Sequence, residues 1–170
     1  MYSSGFTLLE TIVAIGILSV GIIGGVVLMT TAVGSISGER LRLTAVFLAE
    51  EGVELSRNLR DQNWLKFPGD SNKWTDGFFA CGASACTWRM HYLSERLLLP
   101  GAIPLAISPA GFYGYNGEDG FAEGTATNFS RDISFASVSG NEVKVDVLVK
   151  WQDRGSPREY RVEEHLYNWR

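Results

Sequence analysis

Basic charge, histidine and cysteine are all scarce in this 170-residue sequence, and each shortage removes a class of function. Fifteen Lys plus Arg stand against 19 Asp plus Glu, for a net charge of −4. With no cationic excess to neutralise phosphates, nucleic acid is disfavoured as a partner. His91 and His165 are the only histidines, and no G-x-S-x-G, H-E-x-x-H or P-loop motif occurs, so the residues of a hydrolytic, metal-dependent or nucleotide-binding site are missing. His165 alternates with Glu163 and Tyr167 on what reads as the solvent face of the last strand, and His91 sits beside Tyr92. Both are read as surface or packing residues, and no enzyme activity is expected. Two cysteines cannot make a disulfide framework, but Cys81 and Cys86 enclose the small stretch Gly82-Ala83-Ser84-Ala85 and can close one ring. Their C-x4-C spacing is not the C-x-x-C of zinc knuckles or thioredoxin-like sites. A single disulfide is therefore expected, contributing about 2 kcal/mol on the chain-entropy account and implying an oxidising compartment. No metal and no cofactor are expected.

Charge is almost absent from one region. Between Met1 and Gly38 the only charged side chain is Glu10. Phe6 to Val33 comprises 28 residues, of which 18 are apolar, four are Gly and five are Ser or Thr, with no Pro. This exceeds the roughly 20 residues a helix needs to cross hydrocarbon. Hydrocarbon offers backbone groups no partner, so a single crossing segment must be helical even though Val, Ile and Gly are mediocre helix formers in water. A cleaved secretory signal would have a shorter apolar core, basic residues ahead of it and a small-residue site behind it, none of which is present. Residues 6–33 are read as a transmembrane helix half, crossing the bilayer once.

Beyond it Leu41, Ala45, Leu48, Gly52, Leu55 and Leu59 recur at spacings of four and three, one apolar stripe with Glu39, Arg40, Arg42, Glu50, Glu51, Glu54, Arg57 and Arg60 opposite. Glu54 can pair with Arg57. Residues 34–60 thus form an amphipathic half, and one helix is predicted from about Phe6 to about Arg60. Residues 61–170 read as a globular head. Its first part, to Thr127, is loop-rich, with aromatics from Trp64 to Tyr115 pinning loops to a core and a short strand near Thr87 to Tyr92. Val143, Val145, Val147, Val149 and Trp151 then alternate with more polar residues, the period of a strand with one buried face. With 132–138 before it and 158–167 after it, three antiparallel strands are predicted. The outer half of the helix is the available amphipathic cover, so the fold class is α+β, a long N-terminal helix packed by its second half on a C-terminal antiparallel sheet. Asn116-Gly117-Glu118-Asp119-Gly120 and Asp70-Ser71-Asn72 do not complete a calcium-loop pattern.

At the N-terminus the run Gly5-Phe6-Thr7-Leu8-Leu9-Glu10, followed at once by the apolar segment, resembles the start of type IV prepilins and of the pseudopilins of type II secretion. The likeness covers about residues 1–60, and the strand-rich end is similar, more loosely, to minor pilins and minor pseudopilins. It implies a leader at residues 1–5, cleavage between Gly5 and Phe6 by a prepilin peptidase, and methylation of Phe6. It further implies that the Glu10 carboxylate meets the freed amine of a neighbouring subunit during assembly. A charge at a helix centre in hydrocarbon costs roughly 2.5 to 3.5 kcal/mol, and less near an end, so such a group normally has a partner. Implied partners are the peptidase, other pilin subunits, an inner-membrane platform with its motor ATPase, and the bilayer. The implied location is the inner membrane with the head outside the cytoplasm, and then a pilus or pseudopilus. Two features differ from the usual pattern. Met1 to Ser4 carry no Lys or Arg, and Val27 stands where major pilins often have Pro, with Gly21, Gly24 and Gly25 nearby. The alternative role is a filament-tip subunit that binds a surface or DNA through its aromatic loops. An anchored enzyme would need a pocket of converging titratable groups, which this residue list barely supplies.

Overall fold

A computed structural model describes residues 5, 7–82, 85–94, 98, 103–118 and 120–169. The chain divides into two compact units, Met1–Arg40 and Leu41–Arg170. One helix, α1 (Leu8–Lys66), contributes to both. In the first unit the large apolar side chains described from Leu8 to Ile36 are each more than half exposed.

In the second unit the helix buries Ala45, Leu48, Ala49, Gly52, Val53, Ser56, Leu59, Asn63 and Trp64. The expected stripe is present but broader, and Leu41 and Leu55 lie at its half-buried margin. The helix also runs six residues past Arg60, because Asn63 and Trp64 are held by the head. The Asn63 amide donates to Trp74 O at 3.1 Å and to Asp76 O at 3.0 Å, satisfying a buried polar side chain with two carbonyls of the turns that follow. Those turns, from Phe67 to Gly82, are closed by successive backbone hydrogen bonds between residues three apart. They lead to the Cys81–Cys86 disulfide, whose Cα atoms are 6.1 Å apart. Ala83 and Ser84 inside that ring lie outside the described residues.

The strands are β1 (Ala85–Trp88), β2 (Ala106–Ile107), β3 (Tyr113–Gly114), β4 (Thr125–Ala126), β5 (Ser130–Ser139), β6 (Glu142–Asp153) and β7 (Ser156–Tyr167). The main sheet has the order β1-β5-β6-β7 and is antiparallel throughout. It therefore has four strands where the sequence pattern gives three. The extra one is the short strand expected near Thr87 to Tyr92, which lies slightly earlier and pairs with β5. Val143, Val145, Val147 and Val149 are essentially fully buried, and with Ile133 and Phe135 of β5 they meet the helix face. Burying each such side chain is worth about 1.5 to 3 kcal/mol, so this layer dominates the stability of the head. Small helix residues allow the close approach. A Cβ placed on Gly52 would lie 2.8 Å from Val147 Cγ1.

Arg131 of β5 also points into this layer and is fully buried. Its guanidinium donates to Leu48 O at 2.9 Å and Met90 O at 2.6 Å, and pairs with Glu51 at 3.1 Å. The buried charge thus has both a counter-ion and carbonyl acceptors, the condition for tolerating it away from water. The β6–β7 hairpin turns on Arg154 (φ 51°) and Gly155 (φ 79°), two positive-φ residues as a type I′ connection requires. The stretch read as loops contains a second sheet of order β3-β2-β4. It is tied to the main core where the Tyr115 hydroxyl donates to Arg131 O at 3.1 Å, and Asn116 bridges it by two hydrogen bonds to the Gly124 backbone.

Candidate functional site at the helix start

Thr7 and Glu10 form the first turn of α1. The Glu10 N–H donates to Thr7 Oγ1 at 3.3 Å, and the Thr11 N–H donates to Thr7 O at 3.2 Å, so Thr7 is the helix N-cap and Glu10 its third residue. T-x-x-E is the sequence form of a capping box, and Thr7-Leu8-Leu9-Glu10 carries that signal in addition to the prepilin-like pattern. A carboxylate here also lies at the positive end of the helix dipole, an interaction worth typically about 0.3 to 1 kcal/mol in water and more where screening is weak. Gly5 is exposed beside this turn. Phe6, like Met1 to Ser4, lies outside the described residues, so the processing pair Gly5 and Phe6 is seen only on its Gly5 side.

Along the rest of the segment the hydroxyls bond to carbonyls of the same helix. Ser19 donates to Ile15 O at 2.7 Å, Thr30 and Thr31 each to Val27 O at 2.9 Å, Ser35 to Thr31 O at 3.1 Å and Ser37 to Gly34 O at 2.9 Å. Thr11 does the same to Leu8 O at 2.8 Å. Each hydroxyl is satisfied by its own helix, which is what hydrocarbon demands of a polar group. Among the described residues Glu10 is the exception, because no side chain or backbone donor reaches its carboxylate. α1 also contains a window of mean hydropathy 2.7, none of it buried among the described residues, long and apolar enough by composition to cross a membrane. Among the described residues, the helix start thus combines a carboxylate without a hydrogen-bond partner and an exposed apolar segment.

The other candidate residues lie in the head and are not brought to this point. Cys81 and Cys86 brace the start of β1, where Cys86 is buried. His91 is fully buried, edge-on to Tyr92, Tyr115 and Phe121, and its Nδ1 accepts the Leu93 N–H at 3.3 Å. His165 stands on the outer face of β7 and meets Glu142 at 2.7 Å and Glu163 at 3.4 Å. Hydrogen bonding to Glu142, then to Glu163, raises the His165 pKa, while bonds from Lys144 and His165 lower that of Glu163. Burial raises the pKa of the Tyr115 hydroxyl. Of the acidic loop at 116–120, Glu118 is engaged by the buried Arg89 at 3.0 Å, and Asp119 lies outside the described residues. Asp70 caps its own turn, its Oδ1 accepting the Asn72 N–H at 3.0 Å. Among the described residues no three His, Cys, Asp or Glu side chains converge as a metal site would require.

Residues 1–26 match the family model for the prokaryotic N-terminal methylation motif. The match supports a type IV pilin- or pseudopilin-like protein and points to a structural subunit. It implies processing by a prepilin peptidase and assembly with other pilin subunits. The α+β architecture, an apolar N-terminal helix packing on a C-terminal antiparallel sheet, is pilin-like as well. No curated protein and no solved structure matches the chain.

Proposed function

We propose that the chain is a minor pilin or pseudopilin, a structural subunit of a type IV pilus or of a type II secretion pseudopilus. In this reading the prepilin peptidase cuts between Gly5 and Phe6 and methylates Phe6. The apolar helix holds the chain in the inner membrane with the head outside the cytoplasm, and a platform with its motor ATPase draws the subunit into a filament. The observation that carries the reading is one coincidence at the helix start. The methylation motif at 1–26 ends inside a helix segment where, among the described residues, the large apolar side chains are exposed, the hydroxyls are internally bonded and the single carboxylate is not.

Physical chemistry assigns the roles. Once a chain ends at Phe6, its ammonium group is the complement to a carboxylate in a low-dielectric layer, where an ion pair is far stronger than in water. Glu10 then sets the register between neighbouring helices and takes no part in catalysis. The test is mass spectrometry of the mature chain from cells that possess the processing machinery. The expected product begins at Phe6 and carries one added methyl group; a chain retaining Gly5 would overturn the reading. A second reading, a tip subunit that adheres to a surface, is favoured by one feature. Tyr92 and Phe112 lie 5.1 Å apart, both about half exposed, at the edge of the aromatic cluster around His91.

A further inference from the structure

β7 is the last strand of the main sheet, twelve residues long, and among the described residues no strand pairs with its outer side. Which of its backbone groups face outward follows from the pairing with β6. Next to the Glu142–Tyr167 pair, the Asn168 N–H donates to Asn141 O at 2.9 Å. Directions alternate along an antiparallel ladder, so even-numbered residues point at β6, and Glu159, Arg161, Glu163, His165 and Tyr167 present their N–H and C=O groups to the open side. Pro157 falls in the outward set, where its missing N–H costs the ladder nothing. A long, straight, unpaired edge is a template for another strand, and here the side chains say which one.

We propose that β7 is an interface between two copies of this chain, their β7 strands pairing antiparallel about a twofold axis at Val162. In that register Arg161 stands opposite Glu163 of the partner subunit, and Glu159 opposite His165 of the partner subunit. The twofold repeats both pairs, so two Arg–Glu ion pairs and two Glu–His hydrogen-bonding pairs form along one face. The neighbouring registers fail. A slide of two residues one way puts Arg161 against itself and Glu159 against Glu163 of the partner subunit; a slide the other way puts Glu163 against itself and Arg161 against His165 of the partner subunit. A slide of one residue brings outward groups against inward ones and swaps the faces. Among the pairings that keep the hydrogen-bond alternation, the Val162-centred one forms the most complementary pairs, since those centred on Tyr160 or on Glu164 form only two each. The two sheets then become one, with β7 beside β7 at its centre. The inference rests on the head alone and stands apart from the proposed membrane and filament role.

Disulfide trapping of the full chain in the cells that express it tests it. Cys81 and Cys86 are already bonded to each other, so one added cysteine is the only free thiol. At the axis, Val162 forms a pair without mutual hydrogen bonds, in which strand Cα atoms approach to about 4.5 Å, within disulfide reach. Val162→Cys is expected to give a covalent dimer on mild oxidation. Tyr160→Cys and Glu164→Cys are expected to give several-fold less, because each sits two residues from the axis and therefore four from its own copy. In the Val162→Cys background, Arg161→Glu should lower the dimer yield several-fold, and adding Glu163→Arg should restore it. That rescue also shows that the single variant had not merely unfolded. Equal trapping at 160, 162 and 164, no trapping at 162, or indifference to both charge changes would each overturn the proposal.

Discussion

At Gly52 two opposing effects meet at one atom. Alanine in place of a mid-helix glycine normally gains about 1 kcal/mol of helix propensity. Here the added Cβ would lie 2.8 Å from Val147 Cγ1 and 3.3 Å from Arg131 Cδ. Val147 is β-branched and locked in a fully buried layer, so it has little rotamer freedom to yield, and overpacking of this kind costs about 1 to 3 kcal/mol. The clash outweighs the propensity gain. Gly52→Ala should therefore destabilise the head by about 1 kcal/mol net, read as a lower urea midpoint at unchanged slope. A higher midpoint would show that helix and sheet can separate slightly at no cost. Gly52 was legible from sequence as a member of the stripe, but the reason it must be Gly was not. That reason is a contact with a residue 95 positions away. Arg131 is the harder case. Its position in β5 alternates correctly with the inward-facing Ile133 and Phe135, yet a guanidinium in the core is legible only once Leu48 O, Met90 O and Glu51 are seen around it.

Whole elements were legible in proportion to their length. The run from Val143 to Trp151 repeats its period often enough to fix a strand and its buried face, and the helix stripe does the same. Two-residue strands such as β2, β3 and β4 contain no period at all, so the second sheet was unreadable. What makes it is tertiary: Gly124 must lack a side chain because a Cβ there would sit 2.3 Å from Ile107 O. The outer face of the main sheet carries its own pH signature. Hydrogen bonding raises the His165 pKa above its ordinary 6.5, so its contribution is complete below that value and is lost as pH rises through the higher folded pKa. Glu163 is lowered from 4.5, so its contribution is present above that value and disappears as pH falls. The cluster of Glu142, Lys144, Glu163 and His165 thus supports the sheet best between about pH 4.5 and about pH 6.5. Thermal midpoints should fall as pH rises above about 6.5, and His165→Gln should flatten that fall. An identical pH dependence in the variant would remove His165 from the account.

For the whole molecule, one residue lets membrane anchoring and filament assembly be told apart. Anchoring alone would improve if Glu10 were removed, because a carboxylate at a bilayer position costs up to roughly 3 kcal/mol while alanine costs almost nothing. Assembly as proposed would deteriorate, because the partner ammonium of Phe6 in the next subunit would be left buried without a counter-charge, a loss of about 3 to 5 kcal/mol for a broken buried pair. The two processes therefore respond with opposite signs. Thr7 still caps the first turn through the Glu10 backbone N–H, which alanine retains, so the helix start survives the change. The Glu10→Ala chain is expected to fractionate with membranes as fully as the parent and to be cleaved after Gly5. Its share in sheared filaments, measured by immunoblot against the total, should fall at least about tenfold, since 1.4 kcal/mol already corresponds to a factor of ten. Glu10→Gln, which keeps size and hydrogen bonding but not charge, should resemble alanine if the ion pair is the interaction and resemble the parent if a hydrogen bond suffices. Incorporation of the alanine variant at the parental level would end the assembly role of Glu10, while leaving the anchor and the fold of the head as they are.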